Sequence, residues 1–251
     1  AHQESPSGLV QVPGVDEPVR YYAQNDDLWA SCTYERKKST KWRPFRDSGC
    51  SPTSLAMAVA RLVPEEELMK INNYAKRPYS LCNCSINSAA CERHLSRYVL
   101  TSEQDFVRFL PLVLGDFATG NNQWDVCSRS DNAGTGTGYI DKVCKVYGLE
   151  YEFVSKYDAA LEALKKEDHA VFALSGSGGM FTNVGHYIYL AHADEEKLYV
   201  LDPLCRTSYA HCKYGRKLEI IQPGLVAMKH TDAVHAHFSN FIILKKTQIS
   251  E

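Results

Sequence analysis

Long apolar runs are missing from this 251-residue chain. No stretch approaches the roughly 18 apolar residues of a helical membrane span, so no span is expected. The N-terminus also lacks the basic-then-apolar layout of a signal peptide. Blocks of like charge are missing too, because 28 basic and 30 acidic residues are interspersed and leave a formal net charge of -2. With no basic stripe there is no electrostatic footprint for nucleic acid or for an anionic membrane surface, and a peptide or protein substrate fits better. The short run Arg36-Lys37-Lys38 with Lys41 and Arg43 reads as a solvated loop. No cofactor is called for. Gly134-Thr135-Gly136-Thr137-Gly138 is glycine-rich, but no clear strand precedes it and no lysine follows in P-loop position. Helix entry explains it better than phosphate binding.

Cysteine is plentiful by contrast, with nine residues at positions 32, 50, 82, 84, 91, 127, 144, 205 and 212. An odd number leaves at least one thiol unpaired. If that one is Cys50, the other eight could form four disulfides, which favours a secreted or extracellular, oxidising setting. Connectivity stays open, although Cys205 and Cys212 make a plausible local loop. The competing view is a reduced protein with scattered thiols. A zinc site from Cys82, Cys84, Cys91 and His94 lacks the usual paired-ligand spacing, and Asn83-Cys84-Ser85 formally fits a glycosylation acceptor.

Cys50 stands out by its position. It lies in Ser48-Gly49-Cys50-Ser51-Pro52-Thr53-Ser54-Leu55-Ala56-Met57-Ala58-Val59-Ala60-Arg61-Leu62, where Leu55, Met57, Ala58, Val59 and Leu62 form an apolar flank. Pro52 suits a first helical turn and Ser51 is the expected cap, so the helix should begin almost at Cys50. A thiol at a helix N-terminus faces unpaired backbone N–H groups and the positive end of the dipole, and both favour thiolate. The alternative is a small core residue or half of a disulfide.

Around this stretch the chain divides unevenly. Residues 1–18, punctuated by Pro6, Gly8, Pro13, Gly14 and Pro18, read as an extended lead-in to a domain over 19–251. Glu65 to Asn72 predicts a second helix with acidic residues at its start. About 77–130 reads as a cysteine-rich insertion with helical stretches from Ala89 to Leu100 and from Glu103 toward Leu114, the second interrupted near Pro111. A helix through Ile140, Val143 and Val146 should stop at Gly148, and another runs from about Ala159 to Lys166. Ala170 to Leu174 predicts a buried strand, and Ser175 to Gly179 a mobile or substrate-facing loop. Further strands are expected at Leu218–Ile221, Val226–His230 and Phe238–Leu244, with His235 and His237 on an exposed strand. Helices thus gather in the N-terminal half and strands in the C-terminal half, which predicts an α+β fold with the helical half packed on an antiparallel sheet.

The segment from Gly185 to Pro203 reads as a hairpin turning at Asp194 to Lys197. Pairing Leu190 with Leu198 and Ile188 with Val200 puts His186 opposite Asp202 on one face. A carboxylate beside an imidazole fixes its tautomer and stabilises its protonated form, as a general acid/base requires. The bland alternative is a structural histidine at a strand end.

Four blocks, Gln24 to Ala30, Ser48 to Met57, Gly134 to Gly138, and Gly185-His186-Tyr187 through Leu201-Asp202-Pro203, together resemble the papain-like cysteine peptidases related to double-glycine leader peptidases, which process bacteriocins. The resemblance implies a papain-like fold and hydrolysis of peptide bonds through a thioester. It further implies Cys50 as nucleophile, His186 as general acid/base, Asp202 as its orienting group and Gln24 as an oxyanion donor. Ser51-Pro52 follows the cysteine where that family usually has Gly-Pro, and the insertion has no counterpart in it. Two other functions use the same residues differently. One is an acyltransferase, transpeptidase or amidase built on the same dyad, and the other is a silent binding module with Cys50 bridged.

Overall fold

The computed structural model describes residues 5–35, 43–73, 99–119, 128–129 and 134–248. The expected basic loop except Arg43, most of the first helix of the insertion, Asn83, and the candidate ligands Cys82, Cys84, Cys91 and His94 lie outside these residues, as does Cys127.

The chain is α+β. Its centre is a seven-stranded sheet in the order β3 (Leu149–Val154), β9 (Phe238–Lys246), β4 (His169–Ser175), β5 (His186–Ala193), β6 (Lys197–Leu201), β8 (Leu225–Lys229) and β7 (Glu219–Gln222). Every neighbouring pair is antiparallel. Side chains alternate across its two faces, as strand geometry demands. On β4, Ala170 and Phe172 join the core under the N-terminal helices, while Val171 and Ala173 join a second core on the other face. That second core is closed by α6 (Tyr157–Leu164), Phe181, Tyr209 and Leu218. The sheet is therefore covered on both faces.

The helical layer is built on α2 (Cys50–Leu62), preceded by the short α1 (Phe45–Ser48). Helix α2 is buried from Ser51 through Val59 because it is wedged between β4 and β5 on one side and α4 (Leu110–Thr119) on another. Gly49 separates α1 from α2, and a Cβ there would lie 2.6 Å from both the Phe45 ring and its carbonyl. Only glycine allows that close approach.

Several sequence expectations need correcting. The N-cap of α2 is Gly49, not Ser51, whose hydroxyl is instead 2.6 Å from that of Tyr139 in a buried hydrogen bond. Glu65–Asn73 is a 3-10 helix. The lead-in is extended as expected, but its residues Gly8–Val10 (β1) pair with Val19–Tyr21 (β2), and Val12 is fully buried in the main core. The break near Pro111 is real, with α3 (Glu103–Arg108) ending at Phe109 and α4 starting one residue later. A capping box between Ser102 and Asp105 starts α3. All ten residues of α4 are buried against the core, so this part of the expected insertion belongs to the central helical layer. Helix α5 (Ile140–Tyr147) ends where expected, at Gly148 in the left-handed conformation with φ of 67°. His235 lies in a 3-10 helix, His230–Ala236, and His237 is its left-handed cap with φ of 52°, so neither belongs to a strand. Strand β3 was not anticipated.

Candidate active site

Three elements converge at the N-terminus of α2: the helix itself, the first residues of β5, and the segment that follows β6. Cys50 is the first residue of α2 and is partly exposed. Its backbone N–H belongs to the first turn, whose donors have no acceptor inside the helix. The thiol faces the imidazole of His186 and the backbone N–H of Tyr187, which both favour its ionised form. Burial pushes the thiol pKa up. The hydrogen bond and charge of His186 and the Tyr187 N–H act against that and outweigh it, so the thiol titrates below its ordinary range.

His186 Nε2 stands 2.6 Å from Asp202 Oδ1, which leaves Nδ1 for the sulfur. Burial alone would lower the imidazole pKa, but the Asp202 charge and hydrogen bond, together with Cys50, raise it well above the usual histidine value. Asp202 is completely buried. Burial disfavours its charge as well, yet His186, Arg206 and the Tyr209 hydroxyl hold its carboxyl below the usual carboxylate range. A lowered thiol beside a raised imidazole defines an interval in which both are ionised, as thiolate and imidazolium. The hydroxyls of Tyr34 and Tyr139, also close to the sulfur, are kept neutral by burial, which raises their pKa values.

The contact between His186 and Asp202 is made in a different register from the expected one. The turn is right: Asp194 N–H donates to Lys197 O at 3.0 Å, and the Asp194 carboxylate accepts from the N–H groups of Glu196 and Lys197. A bulge at Ala191 then changes the pairing, so Leu190 faces Val200 rather than Leu198, and Tyr189 faces Leu201. The displacement beside the site is two residues. An even displacement keeps each side chain on its face, so His186 and Asp202 become diagonal rather than direct neighbours and still meet.

Gln24 ties the two halves of the site together. Its backbone N–H donates to Pro203 O at 2.6 Å, next to Asp202, and its side-chain Nε2 donates to Arg46 O at 2.5 Å, in α1 just before Cys50. The Arg46 carbonyl fixes which end of the amide is nitrogen. One of the two Nε2 hydrogens remains available for an incoming carbonyl oxygen. The segment Gly134–Gly138 fastens to the same entrance, since the Thr135 hydroxyl donates to Ser48 O at 3.3 Å and meets the Tyr34 hydroxyl at 2.8 Å. The segment packs beside the N-terminus of α2.

No model of a known protein family matches this chain, and no curated protein matches it significantly. The site must be understood from its own geometry.

That geometry includes residues that sequence reasoning missed. Asp202 Oδ2 accepts from Arg206 Nε at 3.1 Å, from Arg206 NH2 at 3.0 Å and from the Tyr209 hydroxyl at 2.6 Å. The sequence shows only the spacing, an aspartate followed at four and seven positions by strong donors, and not that the aspartate is buried and needs them. The loop was instead read as a Cys205–Cys212 bridge. Both cysteines are free thiols in this structure, as are Cys50 and Cys144, so a set of four disulfides among the eight cysteines other than Cys50 is not present in it. Cys205 is held elsewhere, its backbone N–H and carbonyl bonded to the Asn25 side chain. A bridged Cys50 is excluded in this structure for the same reason. Among the described residues no group of three His, Cys, Asp or Glu side chains could hold a metal ion, and no helix is long and apolar enough to cross a membrane. The Ser175–Gly179 loop is fastened rather than loose, with Gly176 N–H on His237 O at 2.7 Å and the Ser175 hydroxyl on Ala236 O at 2.5 Å.

Proposed function

We propose that this chain is a papain-like cysteine peptidase that hydrolyses peptide bonds through a Cys50 thioester. The observation that carries the reading is the placement of the Cys50 thiol beside the His186 imidazole, whose other side is hydrogen-bonded to the buried Asp202 carboxylate at 2.6 Å. In the first step the thiolate attacks the scissile carbonyl, and negative charge develops on its oxygen. The Cys50 backbone N–H and Gln24 Nε2 are the donors available to that oxygen. The imidazolium then transfers its Nδ1 proton to the departing amine, the C–N bond breaks and the thioester remains. In the second step the neutral imidazole takes a proton from water as it attacks the thioester, which releases the carboxylic acid and restores the ion pair. Asp202 holds the ring in place and stabilises its cation throughout. The secreted setting is proposed alongside this reading, with its cysteine support now confined to residues outside those described.

The test is incubation with a diverse peptide library followed by mass spectrometry of the products. New amino termini that disappear when the thiol is alkylated are expected. Products in which the acyl group is joined to an added amine, with no hydrolysis, would move the assignment to an acyltransferase. A fully reactive thiol that yields neither would remove the enzymatic reading.

A further inference from the structure

Asp202 holds more positive charge than the orientation of one imidazole requires. Its Oδ1 already accepts the Leu204 backbone N–H at 2.9 Å as well as His186, and its Oδ2 accepts the Tyr209 hydroxyl at 2.6 Å. Both oxygens are therefore fixed by neutral donors. Arg206 adds two further hydrogen bonds to Oδ2, and its side chain is only 14% exposed. The guanidinium is itself anchored. It lies 4.1 Å over the centre of the Tyr209 ring, NH2 donates to the Phe181 carbonyl, and NH1 stands 3.4 Å from His211 Nε2. What the guanidinium contributes beyond geometry is a permanent cation on the catalytic carboxylate.

We propose that Arg206 is a positioning residue that sets how much negative charge Asp202 presents to His186, and through it the pH range in which the Cys50–His186 pair is ionised. This rests on the reading of Cys50 and His186 as nucleophile and general acid/base. The other titratable groups at Asp202 are Tyr21, whose hydroxyl donates to the Asp202 backbone carbonyl at 2.6 Å, Tyr209, Cys205 and Cys212, with His211 beyond Arg206. None of the four that act on Asp202 directly is a cation. Removing the guanidinium leaves Asp202 freer to stabilise imidazolium, which raises the pH at which His186 loses its proton. It also removes positive potential from the thiolate, which raises the pH at which Cys50 gains its charge. Both changes have the same sign. A purely structural role would lower the rate at every pH and leave the profile in place.

The experiment is the pH dependence of Cys50 alkylation in the full chain, for the wild type, Arg206→Met and Arg206→Lys. In Arg206→Met both inflections are expected to move alkaline by about one pH unit, from a unit charge acting across a partly desolvated site. In Arg206→Lys the inflections stay with the wild type while the plateau rate falls several-fold, because an ammonium keeps the charge but loses the two-pronged grip. Unmoved inflections in a folded Arg206→Met protein, or a lysine variant that moves as far as the methionine one, would overturn the proposal. If the methionine variant does not fold, the wild-type Arg206 Nε–H resonance decides: it should exchange slowly and shift as His186 titrates, and an unmoved resonance refutes the coupling. A wild type showing one ordinary thiol titration would defeat the underlying reading of Cys50 and this inference with it.

Discussion

Replacing Cys50 by alanine is expected to lower peptide turnover by about four orders of magnitude or more, because it removes the thiol that forms the acyl intermediate in the proposed mechanism. The change should cost the fold little. Cys50 is partly exposed, and the links of His186 to Asp202 and of Asp202 to Arg206, Tyr209 and Leu204 do not pass through the sulfur. A melting temperature within about 3 °C of the wild type is the expected companion result. Peptide cleavage rates and a thermal melt, measured on one preparation, check both halves. Turnover retained by a folded Cys50→Ala protein would contradict the assignment.

Asp202→Ala should damage both function and stability. The carboxylate is completely buried and accepts from His186, Leu204, Arg206 and Tyr209. Its removal strands the Arg206 guanidinium beside an unpartnered Tyr209 hydroxyl and frees the imidazole to turn. Breaking a buried charge pair from one side costs about 3–5 kcal/mol, which in a chain of this size lowers the melting temperature by roughly 10 °C. Asp202→Asn separates the two effects because it preserves shape. Its amide cannot stabilise imidazolium as an anion does, so turnover should still fall by about three orders of magnitude with a smaller loss of stability. Denaturant titration and kinetics on the two variants distinguish them, and an alanine variant as stable as the wild type would show that the carboxylate is not integrated as the hydrogen bonds indicate.

The parts of this arrangement that were legible in the sequence were those set by local periodicity. Leu55, Met57, Ala58, Val59 and Leu62 announced a buried helix beginning near Cys50, and alternation along β5 and β6 put His186 and Asp202 on one face. Strand β3 could have been found the same way, since Leu149, Tyr151 and Phe153 alternate with Glu150 and Glu152. What escaped depended on tertiary contacts. The bulge at Ala191 changes register without disturbing alternation on either side of it. Ser51 looked like a cap until Tyr139, 88 residues away, supplied a better partner. Arg206 and Tyr209 were hidden by flanking cysteines whose spacing suggested a bridge, while the buried aspartate that needs them gives no sign in the sequence of being buried.

The ion pair between Cys50 and His186 is the claim from which the rest follows, and its protonation state can be observed directly. The imidazole is raised to about 9, so at neutral pH the ring should be doubly protonated, and the thiol, lowered from its ordinary value, shares with it an interval in which the sulfur is thiolate. As pH rises through the elevated imidazole value the ring proton is lost; as pH falls through the lowered thiol value the sulfur takes one up. Nitrogen-15 NMR of the histidine side chains at pH 7 reads this out: both Nδ1 and Nε2 of His186 should carry protons, with the Nε2 proton far downfield on its hydrogen bond to Asp202. A neutral His186 ring with a single protonated nitrogen at that pH would contradict the account.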